Sequence, residues 1–120
     1  MKEWTITYTG KWVSLNAYYQ SRHWAVRNKL KNEWKEKFGW LLKEAGVQWM
    51  DAFCVSVKFN SRLDTENVIG GLKILVDTMK GVYIEDDTKK YYKGVSIEPD
   101  ETLDKNTYVI TISEWQQEEK

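Results

Sequence analysis

The chain has 120 residues, 42% apolar and 30% charged, a mix that fits one globular domain and leaves no length for a second. Eighteen basic residues balance 18 acidic ones, so the total charge implies no general affinity for nucleic acid or membrane. The single cysteine, Cys54, excludes an internal disulfide, and no apolar run is long enough to cross a bilayer.

The N-terminus, Met1-Lys2-Glu3-Trp4, carries an acid and lacks an apolar core segment, so no signal peptide is expected and a reducing cytoplasm is. Residues 4–9 alternate: Trp4, Ile6 and Tyr8 fall on one face and Thr5, Thr7 and Thr9 on the other, the pattern of a half-buried strand. Residues 12–20 have no clear period and read as a loop or short helical turn. A long helix is expected from about Arg22 to Ala45, with Val26, Leu30, Trp34, Phe38, Leu41 and Ala45 in one apolar stripe. Ser21 suits its N-cap and Gly46 a left-handed C-cap. Residues 52–59 alternate again and predict a second strand, with Phe53, Val55, Val57 and Phe59 facing inward.

A polar turn, Asn60 to Asn67, opens a second helix near residues 66–80. Val68, Leu72, Leu75, Val76 and Met79 form its buried stripe and Gly81 ends it. Gly70 and Gly71 inside this helix cost about 2 kcal/mol together relative to alanine, which close packing or a late helix start would explain. Two further strands are expected at Lys90–Ile97 and Thr107–Trp115. The turn chemistry of Pro99 to Asn106 suggests that they form a hairpin. The order β-α-β-α-β-β predicts a small α+β domain, a mixed sheet with two helices packed on it.

Charge is unevenly spread. Residues 11–43 hold eight Lys/Arg against Glu33 and Glu36, whereas residues 81–120 hold ten acids against five lysines. A basic face and an acidic face, or simply two solvated faces, would both fit.

Several acids stand out by position. Asp64 and Glu66 sit at a strand-to-helix junction, and Asp86 and Asp87 follow the second helix in Val82-Tyr83-Ile84-Glu85-Asp86-Asp87. Carboxylates converging from separate loops repel unless a cation is present, and oxygen-only ligands suit Mg²⁺ or Mn²⁺. Such ions activate water in phosphodiester hydrolysis. Zinc is disfavoured, since His23 is the only histidine and Cys54 the only thiol. Lys73 lies two turns beyond Glu66 on the same helix face and could stabilise transition-state charge. The alternative is plain: Asp64 and Glu66 suit a helix N-terminus anyway, Lys73 and Asp77 make an i, i+4 pair, and Glu85-Asp86-Asp87 makes a solvated turn.

The runs Arg62-Leu63-Asp64-Thr65-Glu66-Asn67, Lys73-Ile74-Leu75-Val76-Asp77 and Gly81-Val82-Tyr83-Ile84-Glu85-Asp86-Asp87 together resemble the RusA family of Holliday junction resolvases. That family has an Asp-x-Asp-Asn motif, a lysine and an aspartate four apart on the next helix, and a Gly-(apolar)-Asp-Asp segment. Ser14-Leu15-Asn16-Ala17-Tyr18-Tyr19 and the closing strand are also similar to it. The resemblance implies a homodimeric, Mg²⁺-dependent endonuclease (Mn²⁺ possible) that cuts four-way DNA junctions in recombination and repair, of the kind common in phages and prophages and acting in the bacterial cytoplasm. By position it implies Asp64, Glu66 and Asp87 as metal ligands and, with Lys73, as catalytic residues. Two departures stand out: Glu66 replaces an aspartate, and the stretch from Asn67 to Lys73 is longer than the family's gap, at Gly70-Gly71.

Arg62 would meet the scissile phosphate, and Arg27 and Lys31 would track the DNA backbone beside Arg22, Lys29 and Lys35. Of seven tryptophans, Trp4 and Trp34 fall on core stripes, whereas Trp12, Trp24 and Trp40 lie off them and suit base or dimer contacts. His23 suits the surface, and Cys54 a filler without a nucleophile role. A non-catalytic RusA-like module that binds branched DNA is the alternative, and an unrelated metal-binding or protein-interaction domain is a third.

Overall fold

The computed structural model describes residues 2–13 and 24–116. It contains β1 (Glu3–Thr9), α1 (Trp24–Ala45), β2 (Phe53–Asn60), α2 (Thr65–Met79), β3 (Tyr92–Pro99) and β4 (Thr107–Glu114). This is the expected β-α-β-α-β-β domain. The candidate cap Ser21, Arg22, His23 and the segment Ser14 to Tyr19 lie outside the described residues.

The four strands form one mixed sheet in the order β1-β4-β2-β3. β4 runs antiparallel to both β1 and β2, and β2 runs parallel to β3. Register explains the core. Ile6 faces Ile110, Ile110 faces Val57, and Val57 faces Ile97, a row crossing the whole sheet. Trp4, Ile112, Val55 and Val95 make the next row. These side chains point towards the helices. On the other face, Thr5 aligns with Thr111, Ser56 and Ser96, which leaves that side polar. One buried face fixes register, because a one-residue slip would turn every core side chain outward.

β3 and β4 do not form the hairpin that their linker suggested: β2 lies between them. Strands two apart are about 10 Å distant, too far for a tight turn. The linker therefore arches over the C-terminal end of β2. Asp100 N donates to Phe59 O at 2.7 Å, Asn106 N to Asn60 O at 2.6 Å, and Asn60 Nδ2 to Leu103 O at 2.7 Å. Asn106 takes a positive φ of 61° at the end of the arch.

In α1 the fully buried residues are Trp34, Phe38 and Leu42, and the predicted stripe shifts by one position at its C-terminal end. Val26 is 56% exposed. The helix is about 33 Å long and the strands about 26 Å, so its first turns overhang the sheet. Its C-terminus closes as the sequence suggests. Gly46 has φ 74°, Gly46 N donates to Lys43 O, and Val47 N donates to Leu42 O, a Schellman motif with Leu42 and Val47 both buried.

The two glycines of α2 lie inside the helix and are buried. A Cβ on Gly71 would overlap the Trp12 indole. Trp12 is therefore no base or dimer contact. It is buried, stacks on Tyr108 with ring centroids 4.4 Å apart, and donates from Nε1 to Val68 O at 3.0 Å. Trp24 and Trp40 are exposed, as their positions off the stripe suggested.

Candidate functional site

Because β2 and β3 are parallel, α2 must return along the sheet antiparallel to both. Its N-terminus lies at the C-terminal ends of these strands and its C-terminus at their N-terminal ends. This topology decides where each candidate residue falls.

At the first end, Asp64 is the N-cap residue of α2, with extended backbone (φ −66°, ψ 152°). Asn67 N donates to its main-chain oxygen at 2.9 Å, but its carboxylate makes no capping hydrogen bond. Glu66 follows in the first turn, where the macrodipole favours an acid. Arg62, Asp64 and Glu66 are all exposed here.

At the other end, Gly81 takes φ 76° and its N–H donates to Ile84 O at 2.7 Å, folding the chain back beneath the helix. Met50 N donates to Tyr83 O at 2.8 Å and ties this turn to the segment that leads into β2. The segment then delivers Asp86 and Asp87. Lys80 Nζ lies 3.2 Å from Asp87 Oδ2, 3.3 Å from Asp77 Oδ1 and 4.0 Å from Asp86 Oδ1. Asp77 is also held from α1, by Lys31 at 2.9 Å and Lys35 at 3.5 Å. Partial burial pushes the Asp77 carboxyl up, but Lys31, Lys80 and Lys35 outweigh it and hold it below the usual carboxylate range. For Lys80, desolvation acts downward, and Asp87 and Asp77 more than offset it, so its ammonium titrates above the usual lysine range.

A groove of about 490 Å³ runs between α2 and β3. Lys31, Lys73, Asp77, Asp87 and Tyr92 supply its polar groups; Ile69, Leu72, Val76, Val95 and Ile97 supply apolar walls. Burial, with Cys54 and Asp87 nearby, raises the Tyr92 phenol to about 12, so it is neutral at physiological pH. Tyr92 also stacks on Phe53 with ring centroids 4.6 Å apart.

The predicted site is thus divided. Lys73 and Asp87 share the groove, and Lys31 reaches it from α1. Asp64 and Glu66 are not among its walls. From Glu66 to Lys80, the partner of Asp87, the helix advances about 21 Å. Among the described residues, no three His, Cys, Asp or Glu side chains gather closely enough to hold a metal ion. Asp64, Glu66 and Asp87 thus do not stand together as one three-carboxylate group among the described residues. Arg27 is half-buried near the start of α1. Cys54 lies on the polar sheet face, where burial pushes its thiol up and away from thiolate chemistry.

Sequence reasoning missed Lys80 and Tyr92. The i, i+3 spacing of Asp77 and Lys80 was a usable signal for the first. For Tyr92 the only signal was its place at the start of a strand facing the helices.

No protein-family model matches the chain, and no curated protein matches it. No helix among the described residues is long and apolar enough to cross a membrane.

Proposed function

We propose that the chain is a structure-selective DNA endonuclease of the RusA type, acting on four-way junctions as a homodimer in the cytoplasm. The observation that carries this reading is the meeting of Lys73 and Asp87 in one groove, although they come from different segments of the resemblance. Lys73 supplies a cation for phosphate there, with Lys31 beside it. Mg²⁺ or Mn²⁺ is the proposed cofactor on the resemblance alone. The division of the carboxylates between the two ends of α2 favours a second reading, a branched-DNA-binding module that does not cut.

Labelled four-way junction and linear duplex, each incubated with Mg²⁺ or with a chelator, decide between them. Symmetric nicking of the junction alone, abolished by chelator, supports the endonuclease. Tight junction binding without nicking supports the module. Equal cutting of linear duplex, or cutting in chelator, sinks the first reading.

A further inference from the structure

The parallel pair β2 and β3 loses register at its start. Phe53 aligns with Tyr92 but Cys54 aligns with Gly94, so β3 carries one residue more than β2, Lys93. Further along, Val95 and Ile97 align with Val55 and Val57 on the helix-facing side. Side chains alternate along a strand, so Tyr92, three residues before Val95, would by that count face the polar side. The extra residue returns it to the helix side. There it aligns with the buried Phe53 and stacks on it, with ring centroids 4.6 Å apart. Bulges between parallel strands are rare, and bulges beside active sites re-aim a side chain. A bulge also blunts an edge strand, but any side chain at position 92 would serve that purpose.

The side chain re-aimed here is a phenol, and it lines the groove with Lys31, Lys73, Asp77 and Asp87. Stacking on Phe53 accounts for the ring, and phenylalanine would stack as well. It does not account for the hydroxyl. A tyrosine that buries its ring normally gives its O–H a partner. The Tyr92 ring is half-buried, yet its hydroxyl has no hydrogen-bond partner among the described residues. The charges around it are already compensated: Asp77 meets Lys31, Lys35 and Lys80, and Asp87 meets Lys80. A neutral donor attracts a phosphate oxygen without adding a cation for these carboxylates to pair with.

We propose that Tyr92 is a catalytic residue whose hydroxyl donates a hydrogen bond to a non-bridging oxygen of the substrate phosphodiester beside Lys73. The proposal rests on the endonuclease reading. No proton is transferred; the phenol, neutral at physiological pH, remains a donor throughout. The bond strengthens as charge builds on the phosphoryl oxygens in the transition state. The apolar walls, Leu72, Val76 and Val95 among them, lower the local dielectric and strengthen it further.

Tyr92→Phe keeps the stacked ring and removes only the hydroxyl. Nicking of labelled four-way junction with Mg²⁺, junction affinity in chelator and thermal unfolding are measured for wild type, Tyr92→Phe and Tyr91→Phe. Tyr91 is the neighbouring phenol and does not line the groove. For Tyr92→Phe, kcat should fall about tenfold or more, as on loss of one transition-state donor, with affinity and unfolding temperature unchanged. Tyr91→Phe should match wild type in all three. Nicking by Tyr92→Phe within about twofold of wild type, or weaker binding with kcat unchanged, overturns the proposal. So does a lower unfolding temperature for Tyr92→Phe, which makes the hydroxyl a structural group, or an equal loss of kcat in Tyr91→Phe. In each of these cases the wild type still nicks junctions and the endonuclease reading stands. A wild type that nicks nothing removes that reading, and the role of Tyr92 with it.

Discussion

Gly71 and Trp12 show how one backbone position can set a packing arrangement. A glycine inside a helix normally costs about 1 kcal/mol relative to alanine. At Gly71 the usual gain from alanine is reversed, because its Cβ would occupy the space of the Trp12 indole. Gly71→Ala should lower stability by about 1–3 kcal/mol, as overpacking a well-filled core does. Gly39, inside α1, is the control: a methyl group there would meet Thr78 Cγ2 at 3.9 Å, an ordinary contact. Gly39→Ala should raise stability by about 0.5–1 kcal/mol. Urea unfolding of both variants checks the pair, and equal effects at the two positions would contradict the packing account. The burial of Trp12 could not be read from its own surroundings, since residues 12–20 have no period. The one hint lay elsewhere in the chain, in the glycine pair that asks for a close neighbour.

At the scale of elements, α1 and α2 are joined by Asp77 of α2, which meets Lys31 and Lys35 of α1 and Lys80 just past the end of α2. Its carboxyl is held below the usual range, so its folded value lies below its unfolded one. The stability it contributes is present above the unfolded value of about 3.9 and is lost as pH falls through the folded value. Asp77→Asn should cost about 0.5–1 kcal/mol near neutrality, discounted for the partial exposure of all four side chains. The difference from wild type should shrink towards zero in strong acid and weaken in high salt. Thermal unfolding across that pH range measures it, and a constant difference down to pH about 2 would contradict the ion-pair account. The strands themselves were legible because each buries one face, so a period of two identifies the inward residues, as at Phe53, Val55, Val57 and Phe59. That period does not say which strand lies beside which. Hence the turn-like linker from Pro99 to Asn106 suggested a hairpin, while the chain instead crosses the end of β2. Similarly, the resemblance implied one site for Asp64, Glu66 and Asp87, while the first two stand at the N-terminus of α2 and Asp87 follows its C-terminus beside Lys80.

For the whole molecule, the question is whether one chain or two present the carboxylates to a cation. Among the described residues of a single chain, no three acids gather closely enough to hold an ion. A shared site would exist only in the dimer. A ligand that binds only one state stabilises that state by mass action. Mg²⁺ should therefore raise the unfolding temperature most at protein concentrations where the dimer predominates, and the rise should fade on dilution. Asp87→Asn should abolish that rise, while its metal-free stability changes by no more than about 1 kcal/mol, because the Lys80 pair it loses is half-exposed. Thermal scans with Mg²⁺ and with chelator over a dilution series test this for the wild type and the variant. A Mg²⁺ response that ignores protein concentration would place the cation within one chain. A response that survives Asp87→Asn would remove Asp87 from the metal ligands.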